Sequence, residues 1–444
     1  MRLPRAAGTD GPPRRGGLKA PLMRVAYSNL LRIATPAYLA RLWWRGRSEP
    51  AYRTHWRERL GGYAGEAVPG RLWIHAVSLG ETRAAAALID VLRARSPGLQ
   101  LLLTHGTATG RAAGARLLRA GDAQAWLPFD TPGAVRRFLE RHRPAAGVLI
   151  ETEVWPNLLA GARAAGVPMV LANARLSARS AAKGARMAWL IRPAVGSFAC
   201  VLAQTVDDAE RLRAAGARPV VVMGNLKFDL TPSPKLLARG LEWRQRLSRP
   251  VVLAASTRDG EEAALLERWR RLPAPRPLLV VVPRHPQRFD EVAALVRASG
   301  FTLARRSAWK DGPDNAALAA EVWLGDTMGE LPLYYGCADV ALLGGSFGPY
   351  GGQNLIEAAA CGCPLVMGPH TLNFALAARL ALAARAAVRV VDIDAAVERA
   401  AALALDPKRN EWVRRAFDFA AAHRGAAERM AREVLALVGD GARA

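Results

Sequence analysis

From residue 71 onward, short apolar runs alternate with longer stretches of helical period. RLWIHAV, LQLLLTH, AAGVLIE, VPMVLAN, FACVLAQ and PVVVMGN are separated by segments such as TRAAAALIDVLRARS, GAVRRFLERH and VDDAERLRAAG. Apolar runs of strand length between amphipathic stretches predict βα units on a parallel sheet. The alternation pauses over residues 229–250, DLTPSPKLLARGLEWRQRLSRP, where proline, charge and one helical stretch predict a linker. It resumes with VVLAAST, RPLLVVVPR, FTLARRS, AEVWLGD, ADVALLGGS and PLVMGPH. The pattern therefore predicts an α/β chain with two doubly wound, Rossmann-like domains. Their expected bounds are 48–230 and 250–440 around a linker at 231–249, the last helix being free to cross back to the first domain.

The amino-terminal part reads differently. Residues 22–47, LMRVAYSNLLRIATPAYLARLWWRGR, have helical period, but Arg24, Arg32 and Arg41 interrupt them. No run approaches the roughly 18 apolar residues of a spanning helix. Tyr27, Tyr38, Trp43, Trp44, Tyr52 and Trp56 gather among the arginines, as aromatic residues do at membrane interfaces. This segment is expected to lie on a membrane or embed shallowly in it. No long apolar centre leads to a small-residue cleavage site, so the rest of the chain is expected to stay in the cytoplasm. The polar leader, residues 1–21, is assigned no function.

Composition narrows the class. With 444 residues, 51% of them hydrophobic, the chain can bury large cores, which excludes a disordered or disulfide-stapled protein. Cys200, Cys337, Cys361 and Cys363 have no second pair or histidine cluster to complete a zinc site, and read as buried reduced thiols. The formal charge of +24 admits three readings: an arginine-rich composition bias, nucleic acid, or an anionic membrane and substrate. Its distribution favours the membrane. From Arg2 to Arg59 there are 13 Lys or Arg against Asp10, Glu49 and Glu58 alone.

Ligands of doubly wound sheets bind beyond the carboxyl ends of strands, and two such domains in tandem enclose a cleft. The informative polar residues should follow the apolar runs. They do so in SLGET, THGTATG, ETEVWPN, ANARLSARS and GNLKFD, then in STRDGEE, PRHPQR, GDTMGEL, GGSFGPYGGQN and GPHTLNF. The later loops suit a phosphate or nucleotide. Paired glycines let backbone amides approach an anion, a helix starting near Asn354 favours negative charge, and Arg284 offers a planar fork. Glu357 stands one turn into that helix, suited to ribose hydroxyls. No GxxxxGK[ST] occurs and no GxGxxG opens a helix early in either half, which removes the usual support for ATPase and NAD chemistry. Glu81, at the opening of a helix after Gly80, is either a dipole-complementing residue or a general base.

Jointly these loops resemble those of the bacterial 3-deoxy-D-manno-octulosonic acid (Kdo) transferases. The resemblance is carried by HAVSLGET, ETEVWPNLL, NARLSARS, LKFD, VPRHPQRF, GDTMGEL, GGQNLIEAAACG and GPHTLNF, and runs in order from about residue 22 to 435. It implies a GT-B glycosyltransferase moving Kdo from CMP-Kdo to the lipid A precursor (lipid IVA), with inversion, during lipopolysaccharide assembly. It implies neither metal nor cofactor, and a place on the cytoplasmic face of the inner membrane, whose anionic surface would be a partner. By resemblance Glu81 is the catalytic base, while Glu151 and Lys227 stabilise the transition state. CMP contacts fall on Pro283, Arg284, Met328, Gly329, Glu330, Asn354, Leu355, Ile356 and Glu357. Glu153, Arg175, Ser177 and Arg179 lie in matching motifs without an assigned role. One departure is Gln353, where many members carry histidine. Two rivals remain: a GT-B enzyme with another nucleotide-sugar donor, and a basic protein binding nucleic acid. The second predicts a recognition module, and none is readable.

Overall fold

The structure, a computed structural model, describes residues 19–65 and 67–441. The chain divides into two compact units. One runs to Asp229 and takes back the residues from Gly425 onward; the other is Leu230–Arg424.

In the first unit seven strands form one parallel sheet: β1 (Leu72–His75), β2 (Leu101–His105), β3 (Ala123–Trp126), β4 (Ala146–Ile150), β5 (Met169–Ala174), β6 (Cys200–Ala203) and β7 (Val220–Val222). Their order is β3-β2-β1-β4-β5-β6-β7. The apolar runs are continuous because both faces are covered. Leu72 and Ile74 enter one core with Leu88, Leu92 and Met430, while Trp73 points into the other with Phe138 and Leu159. The second unit repeats the architecture with β8 (Val251–Thr257), β9 (Leu278–Pro283), β10 (Leu303–Arg305), β11 (Val322–Leu324), β12 (Val340–Leu343), β13 (Leu365–Met367) and β14 (Ala387–Arg389). The order here is β10-β11-β9-β8-β12-β13-β14. Strand order reverses between β1 and β4 in one sheet and between β8 and β12 in the other, and each reversal opens a crevice at the carboxyl ends.

One segment departs from its sequence reading. Within the stretch read as a linker, Pro234–Gln245 is a helix packed on Leu331–Cys337, inside the second unit. Its Gly240 lies so close that a Cβ would meet the Leu333 carbonyl. Trp243 is buried, and Arg244 bonds the Asp339 carboxylate at 3.0 Å. Proline and charge signalled a break, but Leu237, Gly240 and Trp243 recur at helical spacing and supply a packing face. The last helix, Ala426–Gly441, lies on Leu79–Arg95 of the first unit through Met430, Ala431 and Val434. Asp229 fastens its start by accepting from the amides of Gly425 and, at 2.7 Å, Ala427.

The amino-terminal helix, Lys19–Arg45, is part of the first unit rather than an appendage. Tyr27 donates to Asp130 at 3.0 Å, buried Ser28 donates to Asn157 at 3.1 Å, Tyr38 meets Phe129 edge-on, and Leu42 is buried. Leu22, Ala26, Leu30, Ile33, Ala37, Ala40 and Trp44, spaced by three and four, are all exposed on the opposite side. Among the described residues no helix is long and apolar enough to cross a membrane.

Candidate functional site

The first unit brings its three sequence-predicted residues to the carboxyl end of the sheet. Glu81 occupies the first turn of Leu79–Arg95, directly after β1. Ser78 caps that helix, its hydroxyl accepting the Glu81 amide at 3.4 Å and donating to Glu81 Oε1 at 3.1 Å. The other carboxylate oxygen accepts the Val77 amide at 2.7 Å. The sequence S-L-G-E is thus a variant of the capping box in which the acid reaches back one residue further than usual. Capping and catalysis do not exclude each other here, because the cap fixes the carboxylate in place. Burial, with the fields of Glu151 and Glu153 added, pushes its pKa up to about 7 against the pull of the two hydrogen bonds.

Glu151 follows β4, the strand beside β1 at the sheet's reversal. Its φ of 68° places a non-glycine residue in the left-handed region, at a cost of order 1–3 kcal/mol. The surroundings hold it there. The Glu151 amide donates to the Ala172 carbonyl at 2.9 Å, its carbonyl accepts from Arg175 at 3.3 Å, and Lys227 Nζ stands 2.9 Å from its Oε1. Glu153 accepts the Trp155 indole N–H at 2.6 Å, and burial raises its pKa. Its Oε2 is 3.9 Å from Nε2 of His75. That contact is not an ion pair, since complete burial holds the His75 imidazole down at about 3.

Lys227 lies in the short 3₁₀ turn Leu226–Asp229. A set of amides that the sequence reading did not single out fixes this turn. Asn173, buried and itself at φ 53°, accepts the Leu226 amide at 3.0 Å. Gln204 bridges the Asn173 carbonyl (2.9 Å) and Asn225 (3.1 Å), and Asn225 accepts the Lys227 amide at 3.0 Å. Asn173 and Asn225 stood inside quoted motifs, NARLSARS and GNLKFD, so position after a strand was the available signal.

In the second unit the predicted nucleotide residues come off three different strands. Pro283 ends β9 and is buried; the Arg284 amide donates to the Thr257 carbonyl at 3.0 Å. Met328 and Gly329 are exposed beyond β11. Glu330 accepts from Arg306 at 2.9 Å and from the Thr327 hydroxyl. Asn354 caps Leu355–Ala360, its side chain accepting the Ile356 amide at 3.2 Å. Leu355 and Ile356 are 0% and 1% exposed, backbone included. Glu357 is half-buried in the first turn. The glycine loop after β12 owes its composition to close approach. A Cβ on Gly344 would stand 2.5 Å from the Ser256 carbonyl, and Gly345 has φ 68°. Beside it, Arg258 bonds His285 at 2.7 Å and lies over the Tyr350 ring at 4.5 Å, a cation missed by the sequence reading. Gln353 reaches the same place: its Nε2 would be 3.2 Å from a Cβ on Gly345.

Residues 54–230 match the family described as 3-deoxy-D-manno-octulosonic-acid transferase (kdotransferase). A Kdo transferase of Bordetella pertussis is 47% identical over 421 residues, covering 91% of this chain and 97% of its own. The chain belongs to the Kdo transferase family. A second Kdo transferase, from Haemophilus influenzae, is 33% identical over 419 residues, covering 92% and 97%. Among solved structures, Anabaena HepE in complex with UDP aligns with a TM-score of 0.55 at 13% identity, covering 82% of this Kdo transferase and 99% of that chain. A glycosyltransferase from Rickettsia africae aligns equally well at 11% identity, covering 84% and 99%. These likenesses show the GT-B-like fold. The motif resemblance and the family match thus agree on a Kdo transferase enzyme.

Proposed function

We propose that this Kdo transferase moves Kdo from CMP-Kdo onto a hydroxyl of the lipid A precursor, lipid IVA, with inversion at the sugar, on the cytoplasmic face of the inner membrane. The observation that carries the reading is Glu81: a half-buried carboxylate, fixed by Ser78 and Val77, whose pKa stands at about 7. A general base works best when its pKa lies near the working pH. In this reading Glu81 takes the proton of the acceptor hydroxyl as that oxygen attacks the anomeric carbon and CMP departs from the opposite face.

Lys227 supplies positive charge toward the Kdo carboxylate or the departing phosphate, while Glu151 holds the ammonium in place at 2.9 Å. Nucleotide binding is assigned to the second unit. Arg284 and the amino end of Leu355–Ala360 suit the phosphate, and Glu357 suits the ribose. Pro283, Met328, Gly329 and Glu330 complete the proposed CMP contacts, while buried Leu355 and Ile356 hold the helix that carries Asn354 and Glu357 in place.

The membrane reading is supported by the exposed apolar stripe of Lys19–Arg45, 65% exposed at Leu30 and 78% at Ile33, with arginines on its flanks. Incubation with labelled CMP-Kdo and lipid IVA tests the proposal as a whole. Label appearing in the lipid supports it, and label transferred from a UDP-sugar instead would replace the donor.

A further inference from the structure

The first unit carries a second concavity that the transfer reaction does not use. It is a groove of about 960 Å³, at the upper end of the size range of small-molecule sites. One wall is the amino-terminal helix, through Arg24, Ser28 and Arg32; the other is formed by helices Pro132–His142 and Pro156–Ala164. The turns at 143–145 and 166–168, immediately before β4 and β5, also line it. The groove therefore runs along the outside of the helices that cover one face of the sheet, from Ser28, Pro132 and Asn157 to the turns before β4 and β5, whereas Glu81 opens a helix that packs on the opposite face.

The lining is amphiphilic. Val135, Leu139, Ala160 and Val167 give an apolar floor. Above it stand four arginines, Arg24, Arg32, Arg136 and Arg143, and one carboxylate, Glu140. Arg136 is 3.8 Å from Glu140, Arg32 donates to neutral Asn29 at 3.2 Å, and Arg143 donates to the Glu140 carbonyl at 3.2 Å. The positive charge is thus only partly answered by the protein. Val25, 56% exposed, joins the groove to the apolar stripe on the same helix.

We propose that this groove binds one anionic phospholipid, its phosphodiester among the four arginines and its first methylenes on the apolar floor. Arginine suits a phosphate oxygen pair, and the floor removes chain carbons from water. The site is distinct from the one proposed for the lipid acceptor, because it lies outside helices Pro132–His142 and Pro156–Ala164 on one face of the sheet, while Glu81 belongs to the helix on the other. The inference rests on the membrane-surface reading only for the source of the lipid. Arg143, the cap residue of Pro132–His142, also complements the carboxyl end of that helix, and if that were its whole role it would hold no lipid.

The test is native mass spectrometry of the full chain, delipidated and then supplied with phosphatidylglycerol in mild detergent. The wild type is expected to retain one phospholipid and to melt at a higher temperature with it than without. Arg136→Glu with Arg143→Glu, and separately Ala160→Trp, which fills the floor without changing charge, should each lower occupancy by at least about ten-fold, given the strength of basic residues toward anionic lipid. Arg116→Glu with Arg119→Glu, away from the groove, should leave occupancy unchanged, and glycerol 3-phosphate should not displace the lipid. A wild type that retains no phospholipid, or groove variants as fully occupied as the wild type, would overturn the proposal. Leu30→Glu with Ile33→Glu separates the two readings: lost vesicle binding with lipid retained upholds both, and retained lipid in a wild type that ignores vesicles upholds the groove alone.

Discussion

Lys227 Nζ lies 2.9 Å from Glu151 Oε1, an ion pair across 76 residues of sequence that joins the turn after β7 to the left-handed residue after β4. Both side chains are mostly withdrawn from water, 19% and 17% exposed, so loss of one partner leaves a costly charge behind.

Lys227→Met should therefore lower turnover by at least about 10²-fold, the scale of one lost electrostatic stabiliser. It should also move the alkaline-rising limb of the rate profile to higher pH. With the ammonium gone, the Glu151 charge acts unscreened on Glu81, whose pKa it already raises. A rate profile of unchanged midpoint would separate Glu151 from Glu81.

The titration of Glu81 has a stability consequence of fixed sign. Its folded pKa of about 7 lies above the usual carboxylate value, so the folded state holds the proton more tightly than the unfolded state. The resulting stabilisation is fully present below about pH 4.5 and is lost as pH rises through about 7. Melting of wild type and Glu81→Gln at pH 5 and pH 8 should show the wild type losing ground to the variant at the higher pH. An unchanged difference would contradict the raised pKa.

Arg284→Ala should weaken CMP binding by roughly 1.5–3 kcal/mol, as for loss of a hydrogen bond to a charged group. UDP should compete poorly for the same site. Titration calorimetry reads both, and unchanged CMP affinity in a folded variant would remove Arg284 from the nucleotide site.

Leu30→Glu with Ile33→Glu should reduce binding to vesicles containing phosphatidylglycerol without unfolding the unit, because both side chains are exposed. Added salt should weaken wild-type binding too, through the arginines. Both substitutions leave Ser28, Tyr38 and Leu42, which pack against the body of the first unit, in place. Vesicle binding equal to the wild type would contradict the membrane assignment.

The sheets were legible because buried parallel strands write themselves as unbroken apolar runs: LWIH, LLLTH and VVLAAST required no tertiary information. Glu81 was legible as a carboxylate at a helix start, and Ser78 three residues earlier also announced the cap. The pKa of Glu81 was not, because it depends on Glu151 and Glu153, some 70 residues away. The amide chain Asn173, Gln204 and Asn225 was hidden for the same reason: three unremarkable polar residues meet only when β5, β6 and β7 align. Leu355 and Ile356 show the opposite limit, since motif membership named them and the fold buries them whole. The groove beside the amino-terminal helix had no sequence signature, being assembled from arginines of two helices and the turns beyond them.

The central claim is that Glu81 accepts the acceptor's proton rather than merely closing a helix. Turnover of CMP-Kdo with lipid IVA by Glu81→Gln, measured beside CMP affinity, tests it most directly. Glutamine retains the reach of the side chain and an oxygen for the Val77 amide but cannot act as the base. Turnover should fall by about 10²–10⁴-fold, the usual worth of a positioned base, while CMP affinity stays at the wild-type value. Near-wild-type turnover would contradict the account and leave Glu81 as a cap.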